Sequence, residues 1–252
     1  MKKIEYDVQG ISDVGICKSI NQDKYVYRVY DINGESAGLF AVADGVGGLE
    51  NGEVASAMAI SNVIKWYENE FKDIYFDINL IAASLENIFD RINSEISDYG
   101  KNNNKKMGTT LTVMVMYRYK TVICHIGDSR IYRLRHRGLG RNIEILTDDH
   151  SKMIGCQVDN EVVMRSMLTQ CLGVDSHIKC DLKVLNLHKK DRYIICSDGI
   201  YKTQSNSEIK KIMSEQICSI DICSELINNA KRKGETDNIT VIGIEIKEEK
   251  NG

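Results

Sequence analysis

The sequence predicts an α+β fold in which antiparallel sheets are covered by helices. Three observations lead there. Strand-like runs are joined by tight turns, as at Asp31-Ile32-Asn33-Gly34, which marks hairpins. Helical patterns are confined to two blocks, one in each half of the chain. The regular helix-for-strand alternation of a doubly wound parallel sheet is absent. No internal repeat interrupts the pattern, and with no proline anywhere no Pro-rich linker marks a boundary. Residues 1–246 therefore read as a single domain, and the polar K-E-E-K-N-G at 247–252 as a disordered tail.

Residues 3–30 alternate strand-like runs with turns: I-E-Y-D-V-Q-G, D-V-G-I-C and K-Y-V-Y-R-V-Y. The stretch L-F-A-V-A-D-G-V-G-G, Leu39 to Gly48, follows as an apolar strand that stops at Asp44 and runs into three glycines. Two helices come next. Glu53 to Phe71 has apolar residues at Val54, Ala57, Met58, Val63, Ile64 and Tyr67, and Asp77 to Tyr99 carries Ile78, Ile81, Leu85, Ile88, Ile92 and Ile96 at helical spacing. A meander of short strands follows, in M-G-T-T-L-T-V-M-V-M-Y, T-V-I-C-H-I-G-D, R-I-Y-R-L-R and Ile143 to Leu146. The segment up to about Ser166 is poorly patterned. Strands are predicted at Leu182 to Leu187 and Arg192 to Cys196, helices at Ser207 to Glu215 and Ile220 to Lys233, and a last strand after Asp237.

Composition excludes several classes. With 42% hydrophobic and 27% charged residues the chain reads as soluble and globular. A net charge of −3 argues against a general nucleic-acid binder. No apolar run is long enough to span a membrane and M-K-K-I-E-Y-D has no signal-peptide core, so a cytoplasmic protein is the simplest expectation. The eight cysteines are scattered without zinc spacing and read as reduced core residues.

The chemistry lies in the carboxylates. Asp23, Asp44, Asp128, Asp198 and Asp237 all stand at strand termini, three ending a strand and two beginning one. In antiparallel sheets the end of one strand lies beside the start of its neighbour, so all five collect at one edge. Each Asp-Gly or Gly-Asp alone also suits an ordinary turn. Together, carboxylates without interspersed lysines repel one another unless a cation compensates. Oxygen-only ligands suit Mg²⁺ or Mn²⁺ rather than zinc.

The motifs S-I-N-Q-D-K, F-A-V-A-D-G-V-G-G, G-T-T-L-T, H-I-G-D-S-R, L-T-D-D-H-S, L-T-Q-C-L-G, C-S-D-G-I and D-N-I-T-V-I occur in the order seen in the metal-dependent, type 2C Ser/Thr protein phosphatases. The chain resembles the compact bacterial members from about Ile4 to Ile246. That resemblance implies a four-layer α/β/β/α sandwich with two Mg²⁺ or Mn²⁺ ions in a cleft at one end of the sheets. It implies Asp44 as the bridging ligand, the Gly45 carbonyl on one ion, Asp198 and Asp237 on the other, Asp23 holding coordinated waters, and Asp128 with Asp198 at a weaker third site. The implied nucleophile is hydroxide on the dinuclear centre, the substrates are phosphoserine and phosphothreonine in proteins, and a Ser/Thr protein kinase is the counterpart. A catalytically silent binding module of the same fold is the rival, and its signature would be lost metal-ligand aspartates. A phosphatase for a small metabolite or a specialised sporulation-type regulator is a second rival.

The chain departs from the family at several points. Lys18 stands where an arginine often grips the substrate phosphate, supplying charge without a bidentate fork. Gln22 replaces a frequent glutamate but keeps an oxygen able to accept from a coordinated water. Val46 replaces a histidine of eukaryotic members associated with protonating the leaving group; His150 is the nearest rival, with a turn role expected instead. The flap at 151–168 reads as short, and Gln170 replaces a frequent arginine, which is expected to weaken its anchoring.

Overall fold

A computed structural model describes residues 4–137, 140–158 and 161–248. Strands β1 (Ile4–Asp13), β2 (Asp23–Ile32) and β3 (Glu35–Asp44) lead into helices α1 (Gly52–Asn69), α2 (Phe71–Ile74) and α3 (Ile78–Asn102). Strands β4 (Leu111–Tyr117), β5 (Lys120–Ile126), β6 (Arg130–Arg137) and β7 (Gly140–Ile145) make the meander, and the hairpin β8 (Ser151–Val158) and β9 (Glu161–Leu168) follows. The chain continues through β10 (Asp181–Asn186), β11 (Arg192–Cys196), α4 (Asp198–Tyr201), α5 (Asn206–Met213), α6 (Ser219–Arg232) and β12 (Ile239–Glu248). Two five-stranded sheets result, ordered β1-β12-β11-β6-β7 and β10-β5-β4-β3-β2, and every strand pair in them is antiparallel.

Side-chain alternation stacks these sheets into four layers. On β3, Leu39, Ala41 and Ala43 pack under α1 and α3 with Trp66, Leu85 and Phe89. Phe40 and Val42 point the other way, into the layer between the sheets, against Met114, Ile123, Ile195 and Ile242. β3 is buried on both faces, which is why its sequence is an unbroken apolar run rather than an alternating one. Helices α5 and α6 cover the other sheet through Ile209, Met213, Leu226 and Ile227. Each fully buried side chain of this size contributes roughly 1.5–3 kcal/mol of burial. The helix starts are fixed locally: the Asp77 carboxylate accepts from the Asn79 N–H of α3, and Ser205 and Glu208 form a reciprocal capping box on α5.

Three expectations change. D-V-G-I-C is not a strand; β1 runs unbroken to Asp13 along β12, and the chain then turns, with the Gly15 N–H donating to Asp13 Oδ1 at 2.8 Å. The poorly patterned segment is a hairpin, β8–β9, pairing only with itself. A two-stranded ribbon outside the sheets has no buried face to impose alternation, and Met153, Met164 and Met167 are exposed on it. The expected disordered tail begins too early: Lys247 and Glu248 pair with Glu5 and Ile4, and only 249–252 lie outside the described residues.

Between the sheets near the β5 terminus sits a buried histidine, His125. Its Nε2 lies 3.2 Å from the Asp148 carbonyl and its Nδ1 2.8 Å from Thr112 Oγ1. A carbonyl only accepts, so Nε2 carries the proton and Nδ1 accepts from the threonine hydroxyl. Burial first, and then the neighbouring His150, push the imidazole down to about 4, while the Asp148 carbonyl and the Asp181 and Asp149 charges act weakly the other way. The unfolded chain therefore binds more protons between pH 6.5 and 4, and the stability that His125 permits is lost as pH falls through that window, by up to roughly 3 kcal/mol. His125→Gln is expected to flatten this part of the curve, measured as the difference from wild type in urea unfolding at pH 7 and pH 4.5. Parallel curves for the two proteins would contradict it.

Candidate metal centre

Strand register places the first two carboxylates side by side. Asp23 begins β2 and Asp44 ends β3, and the two are direct cross-strand partners. Asp44 shares its face with Phe40 and Val42, and Asp23 shares its face with Tyr25 and Tyr27, so both belong to the inter-sheet layer at its rim. The G-T-T motif fixes Asp44 through its backbone. The Asp44 N–H donates to Thr110 Oγ1 at 2.9 Å, and its carbonyl accepts from the Thr110 N–H at 2.8 Å and from Thr109 Oγ1 at 2.9 Å. Gly45 is required next because a Cβ there would lie 2.5 Å from the Gly52 backbone.

The other three arrive from different strand ends. Asp128 follows Gly127, which has φ +112° and would drive a Cβ to 2.5 Å from Thr110 Cβ, so only glycine fits that turn. His150 holds the same turn: its N–H donates to the Gly127 carbonyl at 2.7 Å and its Nδ1 accepts from the Gly127 N–H at 3.2 Å. Tyr201 donates to the Asp128 carbonyl at 2.8 Å and is stacked by Arg130, 3.6 Å from its ring centre. Asp198 opens α4 directly after β11. Asp237 precedes β12, where Asn238 staples distant segments: its side-chain nitrogen donates to the Val14 and Ile20 carbonyls, and its Oδ1 accepts from the Gln22 N–H at 2.9 Å.

Asp44, Asp128, Asp198 and Asp237 line one cleft of about 450 Å³, together with Val46, Met167 and Lys202. Asp23 is buried beside it, with Ser197 Oγ donating to Oδ2 at 2.8 Å. A cavity of about 510 Å³ elsewhere is lined by Arg141, Arg192 and Lys247. Its two guanidiniums are committed to carbonyls of Met213, Ser214, Glu215 and Ile217, and none of the five aspartates lines it.

The cleft is strained electrostatically. Burial, and then the charges of Asp23, Asp198, Asp128 and Asp237, push the Asp44 carboxyl well above the usual range. Burial, partly offset by hydroxyl donors and reinforced by Asp198, pushes Asp23 up to about 6. Burial and Asp198 push Asp128 up to about 7 against the opposing charge of Lys202. Asp198 is raised by burial, with Lys202 again opposing. Asp237 goes the other way: burial acts to raise it but is outweighed by Lys18, Lys202 and the Asn238 N–H.

These residues suit a hard divalent cation. Asp198 Oδ1 and Asp23 Oδ1 are buried with no hydrogen-bond partner, which is costly unless a ligand satisfies them. All the side-chain donors are oxygens. Among the described residues no trio of acidic, histidine or cysteine side chains is gathered into a ready-made cage. Two ammonium groups stand among the carboxylates instead. Lys18 Nζ lies 3.0 Å from Asp237 Oδ1, and Lys202 Nζ contacts Asp198 Oδ2 and lies 3.4 Å from Asp237 Oδ2.

Sequence reasoning missed Lys202, Ser197 and Asn238. Lys202 was detectable only as the residue one helical turn beyond Asp198. The Gln22 side chain donates to Glu53 Oε2 at 3.3 Å, and Gln170 Oε1 accepts from the Lys179 N–H at 3.2 Å. Cys196, two residues from Asp198, is fully buried and its thiol is pushed far up by that burial, which removes it as a nucleophile. The seven cysteines with described side chains are all free, although Cys17 and Cys218 are exposed rather than in the core.

A sequence profile described as protein phosphatase 2C matches residues 17–229. The protein phosphatase PhpP of Streptococcus pneumoniae is 28% identical over 253 residues, covering 96% of this chain and 98% of the relative. A crystal structure of a bacterial serine phosphatase superposes with a TM-score of 0.81 at 26% identity, over 96% of this chain and 99% of that one. The catalytic domain of the serine threonine protein phosphatase PstP, solved in complex with two manganese ions, superposes with a TM-score of 0.75 at 26% identity, over 97% and 100% of the two chains.

Proposed function

The chain belongs to the protein phosphatase 2C family, and from that premise we propose that it hydrolyses phosphoserine and phosphothreonine monoesters in proteins, using divalent ions held by its cleft aspartates. The observation that carries the reading is the arrival of Asp44, Asp128, Asp198 and Asp237, from four separate strand ends, in one cleft that also holds an unpartnered carboxylate oxygen of Asp198. The retained aspartates speak against a silent binding module. The manganese ions of the PstP structure support the choice of a hard cation. Among the described residues no helix is long and apolar enough to cross a membrane.

Asp44, the Gly45 carbonyl, Asp198 and Asp237 would hold two Mg²⁺ or Mn²⁺ ions, with Asp128 and Asp198 serving a third and Asp23 acting through coordinated water. When bound, such ions lower the pKa of a water and neutralise charge on a phosphoryl group. The protein's own contribution is position. Thr109 and Thr110 hold the Asp44 backbone at the cleft, so the position from which its carboxylate projects is set before the substrate arrives. Lys18, at the cleft rim with its side chain 39% exposed, supplies a positive charge for the incoming phosphate. Val46 offers no proton, so a coordinated water or solvent would serve the leaving group. The exposed Met167 and Val174 at the cleft wall suit apolar residues flanking a phosphorylated one. A Ser/Thr protein kinase that makes these phosphoproteins is the natural counterpart.

The test is turnover of phosphoserine and phosphothreonine peptides beside small phosphate esters, after chelation and after Mn²⁺ is restored. Activity absent in chelator and regained with Mn²⁺ on the peptides is expected. Equal turnover with chelator present would contradict metal dependence, and turnover confined to small esters would move the substrate class.

A further inference from the structure

Lys202 lies where a compensating cation is needed and where none was expected from the sequence. It follows the single turn of α4, and its N–H donates to the Asp198 carbonyl at 3.0 Å, which fixes the stem one turn above Asp198. Its Nζ contacts Asp198 Oδ2 and lies 3.4 Å from Asp237 Oδ2. One ammonium therefore bridges two carboxylates, one at the first residue of α4 and the other just before β12, 39 residues apart in sequence. The other oxygen of Asp237 is held by Lys18 at 3.0 Å. Asp198 keeps one free oxygen, Oδ1, buried and unpartnered.

We propose that the Lys202 ammonium is a tethered counter-ion that bridges Asp198 and Asp237 in the metal-free cleft, so that a divalent ion taking these two carboxylates must displace it. The inference rests on the reading of the cleft as a divalent-metal site. A lysine charge at this position offsets part of the repulsion between the two carboxylates. A simple pair across one helical turn would touch Asp198 alone. The contact with Asp237, outside the helix, gives Lys202 a role in the site.

Displacing a bonded cation weakens binding of its competitor. A unit charge within about 4 Å at the rim of a protein is strong enough to change a divalent ion's affinity by at least tenfold. The side chain is 40% exposed, so the displaced ammonium has solvent to move into.

Two full-length variants separate charge from shape. Lys202→Met keeps length and removes charge, and Lys202→Arg keeps charge. Mn²⁺ is titrated calorimetrically into chelator-treated, dialysed protein, and the metal-free melting temperature is recorded for each. The expected result is Mn²⁺ binding about tenfold or more tighter in Lys202→Met, a lower metal-free melting temperature in that variant, and wild-type affinity in Lys202→Arg. Should Lys202→Met not fold, Lys202→Gln is held to the same tenfold gain. Equal Mn²⁺ affinity in the wild type and the neutral variant overturns the inference while leaving the metal site standing. Absence of Mn²⁺ binding in both overturns the inference and the metal-dependent reading together.

Discussion

Asp44→Asn is expected to lower Mn²⁺-dependent hydrolysis of 4-nitrophenyl phosphate by at least about a thousandfold, equivalent to roughly 4 kcal/mol of barrier. The same loss is expected for Asp237→Asn. The change targets chemistry rather than folding. Asp44 is held through its N–H and carbonyl by Thr110 and Thr109, and none of those bonds uses the carboxylate. The amide is nearly isosteric and removes a charge that burial and four neighbouring carboxylates already disfavour. Far-ultraviolet circular dichroism is therefore expected to be unchanged while turnover disappears. Turnover near wild type in either variant would refute the site.

The metal-free protein is expected to become more stable as pH falls from 8 to 6, the reverse of ordinary acid destabilisation. Asp128 is raised to about 7 and Asp23 to about 6, and Asp44 and Asp198 are raised as well. Unfolded, such carboxyls titrate near the normal aspartate range, about 3.9. Between that range and the raised values the folded state binds more protons than the unfolded state, so stability rises as pH falls through this window. Asp237, which is lowered, acts in the opposite sense only below the normal aspartate range, and His125 only between pH 6.5 and 4, so neither opposes the rise over most of the span from pH 8 to 6. Asp128 and Asp23 alone contribute roughly 2 kcal/mol between pH 8 and 6, which corresponds to a melting temperature several degrees higher at pH 6 for a domain of this size. Asp128→Asn is expected to raise the metal-free melting temperature at pH 8 and to flatten the curve. Mn²⁺ would remove this rise, because a divalent ion beside the carboxylates holds them ionised and its stabilising binding to the folded state weakens as they protonate. Thermal unfolding in chelator at the two pH values measures this directly. Equal melting temperatures at pH 6 and 8 would contradict it.

Much of the site was legible because it interrupts a strong signal. An apolar run that stops on a carboxylate and a glycine, as at Asp44, has few structural reasons to do so. The repetition at Asp198, and at Asp237 before the last strand, makes an edge of the sheets the economical place for all of them. Antiparallel sheets covered by helices were legible because hairpin-linked strands and two helix blocks stand apart in the chain, each block supplying an apolar face to one sheet, whereas the four-layer stacking came only with the family resemblance. What was not legible depends on contacts between distant segments. Lys202 is an ordinary surface lysine until Asp237 is brought beside it. Ser197 and Asn238 are polar residues at strand ends whose partners, Asp23 and the Gln22 N–H, lie far away in sequence. β1 was split because it is an edge strand, half-buried along most of its length, and the polar Gln9 and Ser12 with Gly10 blur its alternation. The β8–β9 hairpin was missed because it leaves large apolar side chains such as Met153 and Met164 in solvent.

Diffraction from a crystal soaked in Mn²⁺, recorded at the manganese absorption edge, bears most directly on whether these five aspartates form a cation site. Strong anomalous peaks between Asp44, Asp198 and Asp237, with Lys202 turned away, are predicted. A cleft without anomalous density, or manganese bound only at other surfaces, would contradict it.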